Sequence, residues 1–215
     1  MSPKIFHKTI LSLFDYTGSW SEPYKKAGYH VIMADIKHSI DIFEVMEDVL
    51  SPDNADCTVY GILAAPPCTD FSVSGAWKWK DKENQPAEYY SDCTNLIFTN
   101  TVEHSIAMVI ATLEIIERLK PSGFWVLENP IGRINQLVPE LQPYGPWYFD
   151  PYEFGDPYTK KTGLWGRFNK PVKTPVLPLF GSMMIKKYGG KSEHTKTLRS
   201  ATPKGFAKAF FLSNQ

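Results

Sequence analysis

The sequence predicts an α/β fold, a mostly parallel sheet with helices on both faces. Three observations carry that expectation. Short apolar runs rich in β-branched and aromatic residues recur at 10–14, 29–34, 59–63 and 124–127, each of strand length. Helix-like segments fall between them, the alternation expected of a parallel sheet. Turn-forming residues follow the strands, and in open α/β sheets the loops past the C-terminal strand ends carry ligands. The 215 residues suit one domain, and 43% hydrophobic content is enough for a sizeable core.

Taken in order, Ile10–Phe14 reads as the first strand, and Asp15-Tyr16-Thr17-Gly18-Ser19 as a turn. Trp20–Ala27 suits a helix ended by Gly28. Tyr29–Ala34 reads as a second strand, ending at Asp35. A β-turn-α-β unit with an acid at the end of its second strand is one way to hold an adenosine moiety. With one glycine in the turn, a plain α/β core fits equally well. Asp41–Leu50 suits a short strand entry followed by a helix, broken by Ser51-Pro52-Asp53-Asn54.

Val59–Leu63 reads as a buried strand, followed by Ala64-Ala65-Pro66-Pro67-Cys68. Two prolines cannot continue a ladder, so the chain leaves the sheet there and displays Cys68 on a stiff loop. Taken alone, that cysteine is either a nucleophile or a small buried hydrophobe. Residues 72–95 are polar and aromatic, with Trp77, Trp79, Tyr89 and Tyr90. These rings could stack on bases or pack on their own domain. Asn100–Leu119 predicts a long amphipathic helix with Ile106, Val109, Ile110, Leu113, Ile116 and Leu119 inward, and His104 as a satisfied surface or core histidine rather than a ligand. Phe124–Leu127 is another buried strand, followed by Glu128-Asn129-Pro130. Strands are expected at 148–154 and 164–168, residues 170–198 show no periodicity, and 203–212 reads as a helix.

Charge is segregated along the chain. Residues 1–159 hold 11 Lys and Arg against 22 Asp and Glu, and residues 160–215 hold 12 against one. The two parts carry −11 and +11, the footprint of a polyanion partner or of two parts that attract each other. Three cysteines, Cys57, Cys68 and Cys93, lack zinc-site spacing and argue for reduced thiols. No apolar run approaches the ~20 residues that span a membrane. A cytoplasmic protein of a prokaryotic or phage-infected cell is expected, monomeric, with no metal and no membrane partner.

The order of these motifs resembles that of the DNA cytosine-5 methyltransferase family. Phe14-Asp15-Tyr16-Thr17-Gly18 is similar to the family's Phe-x-Gly-x-Gly turn, Asp35-Ile36 to its acidic motif, and Asp41-Ile42 to the next cofactor contact. Pro66-Pro67-Cys68 resembles the Pro-Cys loop and Glu128-Asn129-Pro130 the Glu-Asn-Val motif. Residues 155–162 parallel Gly-x-Pro-Gln-x-Arg-x-Arg, and Arg199–Ala207 the late Arg-x-x-Thr motif. The sequence departs from the pattern at Tyr16, Ser19, Pro130, Tyr158, Lys160 and Thr162. About 30 residues stand where sequence-specific members carry a recognition domain, short of the ~50 of a small domain.

The resemblance implies a Rossmann-like sheet of the S-adenosylmethionine-dependent methyltransferases. It divides the chain into a catalytic domain (1–169), a short basic recognition-like segment (170–198) and a C-terminal helix packing back (199–215). It implies methyl transfer to cytosine C5 in DNA with short or relaxed specificity. Cys68 would be the nucleophile at C6, Glu128 the acid at N3, and Lys160 the local cation. The cofactor would be S-adenosyl-L-methionine, held by Phe14, Asp15, Tyr16, Thr17, Gly18, Asp35, Ile36, Asp41, Ile42 and Pro66. Expected DNA contacts are Ser72, Asn129, Lys160, Thr162, Arg167, Lys186, Lys187 and Arg199. RNA, a free cytosine nucleotide, or a non-catalytic nucleic-acid-binding role are the alternatives.

Overall fold

A computed structural model describes residues 8–51, 58–80, 89–90, 97–98, 100–182 and 192–215. A six-stranded sheet organises the chain. Its strands are β1 (Thr9–Leu13), β2 (His30–Ala34), β3 (Gly61–Ala64), β6 (Phe124–Pro130), β7 (Trp147–Phe149) and β8 (Thr162–Arg167). The spatial order is β2-β1-β3-β6-β8-β7. The first four strands of that order are parallel, and β8 runs antiparallel to both β6 and β7. A separate two-stranded pairing joins β4 (Tyr89–Tyr90) to β5 (Ile97–Phe98).

Strand alternation sorts the apolar residues onto two faces. Leu11, Leu13, Ile62, Ala64, Trp125, Leu127 and Trp165 point to one side. There they meet Ile42 and Phe43 of α2 (Ile42–Leu50) and Val109, Ile115 and Ile116 of α3 (Thr101–Leu119). Ile10, Leu63, Phe124, Val126 and Leu164 point to the other side. They pack under Tyr24 of α1 (Glu22–Lys26) and Phe206 and Phe210 of the terminal helix. Near-continuous apolar strands thus arise because both faces are covered.

The long helix buries Val102, Ser105, Val109, Thr112 and Ile116, plus Ala111 and Ile115. Of its expected inward residues, Ile106, Ile110, Leu113 and Leu119 are only partly buried, so the true stripe is rotated toward smaller side chains. The expected strand at 148–154 stops at Phe149. Pro151 removes a ladder donor, and Asp150 with Glu153 forms a capping box that starts a 3₁₀ turn over Pro151–Phe154. A short helix, α4 (Ile134–Leu137), lies between β6 and β7.

The basic segment is less featureless than its sequence. Residues 170–182 run as a strap along 152–159: Thr174 N donates to the Glu153 carbonyl and Val176 N to that of Tyr152, both at 2.9 Å. Helix α5 (Glu193–Ser200), capped by Ser192, follows. The final helix, α6 (Lys204–Ser213), seats its aromatic face on the sheet, with Phe206 stacked on Phe149 at 4.0 Å between centroids. Asn214 then locks the end, accepting from Asn169 N at 2.7 Å and donating back to its carbonyl at 2.9 Å. Among the described residues no helix is long and apolar enough to cross a membrane.

Candidate active site

Because β3 and β6 pair in parallel, with Ala64 opposite Leu127, the loops that leave them emerge side by side. The loop after β3 carries Cys68, and Glu128 stands on β6 itself, one residue past the last position paired with β3. Lys160 comes to the same edge two residues before β8, whose first residues pair with Pro130 and Asn129. Its Nζ lies 4.0 Å from Glu128 Oε1, and both side chains are only 12% exposed. The backbone of Lys160 is held by Asp150, whose Oδ1 accepts its N–H at 2.9 Å.

Burial and charge compete at these groups. Burial pushes the Glu128 carboxyl up from its ordinary range, and Lys160 opposes it. Burial likewise pushes the half-buried Cys68 thiol up, Lys160 pulls it down, and the carboxylates of Glu128 and Asp70 push it further up. Lys160 is the positive charge that opposes both shifts.

The loop itself is rigid. Phe71 N and Ser72 N both donate to the Cys68 carbonyl, at 3.1 and 2.8 Å. Buried Asn129 donates from Nδ2 to the Pro66 carbonyl at 3.1 Å, tying the Cys68 loop to β6. Its Oδ1 has no hydrogen-bond partner among the described residues.

No family model matches the chain, and no curated protein matches it. Among solved structures it is similar to a candidate DNA modification methyltransferase encoded within an E. coli prophage. The identity is 15% over 74% of this chain and 46% of the other, with a TM-score of 0.47. It is also similar to a triple mutant of Spodoptera frugiperda DNMT2, at 17% identity over 85% and 56%, TM-score 0.41. A third is the Entamoeba histolytica methyltransferase EhMeth, at 13% over 86% and 61%, TM-score 0.41. The chain spans about half the length of these proteins.

The turn after β1 and the end of β2 adjoin through Phe14 N, which donates to the Ala34 carbonyl at 2.7 Å. Phe14 and Gly18 both take left-handed backbone, φ 60° and 64°. Gly18 is one place where that geometry favours glycine; Phe14 adopts it with a side chain. Asp35 is partly buried and caps a 3₁₀ turn through Lys37 N, beside Ile36, which is 68% exposed. An exposed apolar side chain next to a carboxylate fits an adenosine group.

Three of the expected cofactor residues turn inward instead. Asp15 is buried, its Oδ2 accepting from Ser12 Oγ, Ser21 N and Ser21 Oγ at 2.9, 3.2 and 2.8 Å. Ile42 is buried in the core, and Asp41 caps α2, accepting from Phe43 N at 2.9 Å. Pro66 is buried. Tyr16 is exposed, its ring tilted against that of His38 with centroids 5.0 Å apart, and Lys37 Nζ lies 4.8 Å from its ring. Thr17 Oγ1 donates to Ser19 Oγ at 3.0 Å.

The expected DNA contacts need the larger revision. Ser72, Asn129 and Thr162 are buried, which leaves them supports rather than surface contacts. Ser72 caps the 3₁₀ turn at 73–78, and Thr162 Oγ1 donates to the Lys160 carbonyl at 2.8 Å. Arg167 pairs in register with Trp125, three positions from Glu128, about 10 Å down the sheet. It lines a groove of about 920 Å³ at the opposite edge, with Tyr144 and Trp125. Antiparallel β8 carries it away from Cys68. Arg199 lies in the last turn of α5. Lys186, Lys187, Cys57 and Cys93 lie outside the described residues.

Sequence reasoning passed over Asp150, Asp70, Ser105 and Arg133. Asp150-Pro151-Tyr152-Glu153 carried a readable capping-box signal. The other three gave no local signal, because their partners are at least 35 residues away.

Proposed function

We propose that this chain transfers a methyl group to C5 of cytosine in DNA, through a transient bond between Cys68 Sγ and C6 of the base. The observation that carries the reading is that the Cys68 loop leaves β3 beside the part of the parallel strand β6 that carries Glu128, with Lys160 against the acid. C5 of cytosine is a poor nucleophile until a thiolate adds at C6 and makes it enamine-like.

Glu128, pushed toward its neutral form by burial, hydrogen-bonds and protonates N3 as Cys68 adds, so negative charge does not accumulate in the ring. Lys160 offsets the thiolate charge before attack and the Glu128 carboxylate charge after proton donation. S-adenosylmethionine, held at Phe14, Thr17, Gly18, Asp35 and Ile36, would supply the methyl group. Loss of the C5 proton to a base then restores the C5–C6 double bond. Cys68 leaves as thiolate, and Glu128 recovers its proton from N3. The target base must leave a duplex to reach this edge, at a cost of a few kcal/mol. The basic residues beyond 159 supply sequence-independent attraction to phosphates, and so short a segment leaves specificity relaxed.

The test is transfer of labelled methyl groups to duplex DNA, single-stranded DNA, RNA and free cytidine nucleotide. Transfer to DNA is expected, lost in Cys68→Ser with cofactor binding retained. Unchanged transfer by Cys68→Ser would overturn the nucleophile; transfer to RNA or nucleotide alone would change the substrate.

A further inference from the structure

The Cys68 loop is gripped from two further directions. From α3, Ser105 Oγ donates to Asp70 Oδ2 at 2.7 Å, both residues being buried. From the turn after β6, Arg133 donates twice: Nε to the Asp70 carbonyl at 3.0 Å, and backbone N to the Phe71 carbonyl at 2.9 Å. Arg133 is 8% exposed, and its guanidinium carbon sits 4.4 Å from the Trp79 ring centroid. The turn approaches so closely that a Cβ on Gly132 would collide with the Phe71 carbonyl. Ser72 and Gly132 form a β-bridge at that point.

A buried guanidinium is costly, and here it binds the backbone of a neighbouring loop. Arg133 also lies five residues beyond Glu128 on one continuous segment. We propose that Arg133 and Asp70 are positioning residues that fix the Cys68 thiol relative to Glu128. Arg133 ties the thiol's loop to the segment that carries the acid, and the Asp70–Ser105 hydrogen bond ties the same loop to α3. The inference rests on the Cys68–Glu128 reading. Neither residue touches the reacting atoms, so both act through the backbone of residues 68–71. Asp70 has a second influence. With Glu128 and Lys160 it is one of the charged groups facing the thiol, and its carboxylate opposes ionisation.

The variants are Arg133→Met, Asp70→Ala, Asp70→Asn and Ser105→Ala in the full chain. Two measurements apply: the kcat and KM of methyl transfer, and the pH dependence of Cys68 alkylation by iodoacetamide. Peptide mass spectrometry separates Cys68 from Cys57 and Cys93. Arg133→Met and Asp70→Ala should lower kcat about 10²-fold, the scale of an ångström misplacement, with KM for S-adenosylmethionine unchanged. Asp70→Asn keeps an acceptor for Ser105 but not the charge. It should recover most of kcat and move the alkylation profile to lower pH. Ser105→Ala should fall between, with a smaller loss of kcat.

Wild-type kcat and alkylation in Arg133→Met and Asp70→Ala would overturn the inference. If Arg133→Met does not fold, the Asp70 pair decides. Equal kcat in Asp70→Ala and Asp70→Asn, with an unmoved alkylation profile, overturns it. Alkylation needs no methyl acceptor. A wild-type chain that methylates nothing would sink the proposed reaction, while the alkylation profiles would still report on the clamp.

Discussion

Replacing Lys160 by Met tests the electrostatics of the site most directly. The Lys160 ammonium is 4.0 Å from the Glu128 carboxylate, and both side chains are 12% exposed. At an effective dielectric of about 20, unit charges at that distance interact by about 4 kcal/mol. Fully expressed in the transition state, that is about 10³-fold in rate. Residual water access lowers the expectation to about 10²-fold in kcat/KM. The pH profile should move as well. Glu128 and Cys68 both become anions on losing a proton, and Lys160 stabilises both anions. Its removal raises both ionisations, so a bell-shaped profile should shift to higher pH on both limbs. Lys160→Arg, which keeps the charge, should retain the position of the bell. The assay is labelled methyl transfer across about pH 5 to 10. A Lys160→Met enzyme with wild-type kcat/KM, or with an unmoved profile, would refute the shared-cation argument.

Two further outcomes follow from placement. Asp41→Ala removes a capping box whose Asp41 N also donates to Glu44 Oε2 at 3.3 Å. It should lower unfolding free energy by about 1 kcal/mol in urea titration. A loss of cofactor affinity without a stability change would instead make Asp41 a ligand contact. Phe206→Ala empties a fully buried position stacked on Phe149 and beside Trp20. It should cost about 3–5 kcal/mol in the same titration, and a loss under 1 kcal/mol would mean α6 is not part of the core.

Several parts of this fold were legible locally. The apolar runs around Ile10, Ile62 and Val126 became three of the parallel strands because a strand covered on both faces is apolar on both, and the run around Val31 became the partly exposed edge strand β2. The Pro66-Pro67 pair announced where β3 must end. Two expectations failed, one where a local capping signal outweighs an apolar run and one where strand direction decides. Tyr148–Phe154 looks like strand throughout, yet the Asp150–Glu153 box turns the chain after three residues. Arg167 looks like any basic residue near a basic motif, and only the reversed direction of β8 sends it to the far edge.

By itself the sequence determined the apolar pattern, the thiol on a proline-stiffened loop, an acid at the end of a later strand, and the segregation of charge toward residues 160–215. These depend on residue type and on neighbours a few positions away. The tertiary structure decided what meets what. The pairing of β3 with β6 set Cys68 and Glu128 on one edge, and β8 delivered Lys160 to it. It also turned Asp15, Ser72, Asn129 and Thr162 inward, and brought Arg133 and Ser105 onto the Cys68 loop. Strand order and direction span separations of 35 to 63 residues at those contacts, and no local pattern encodes them.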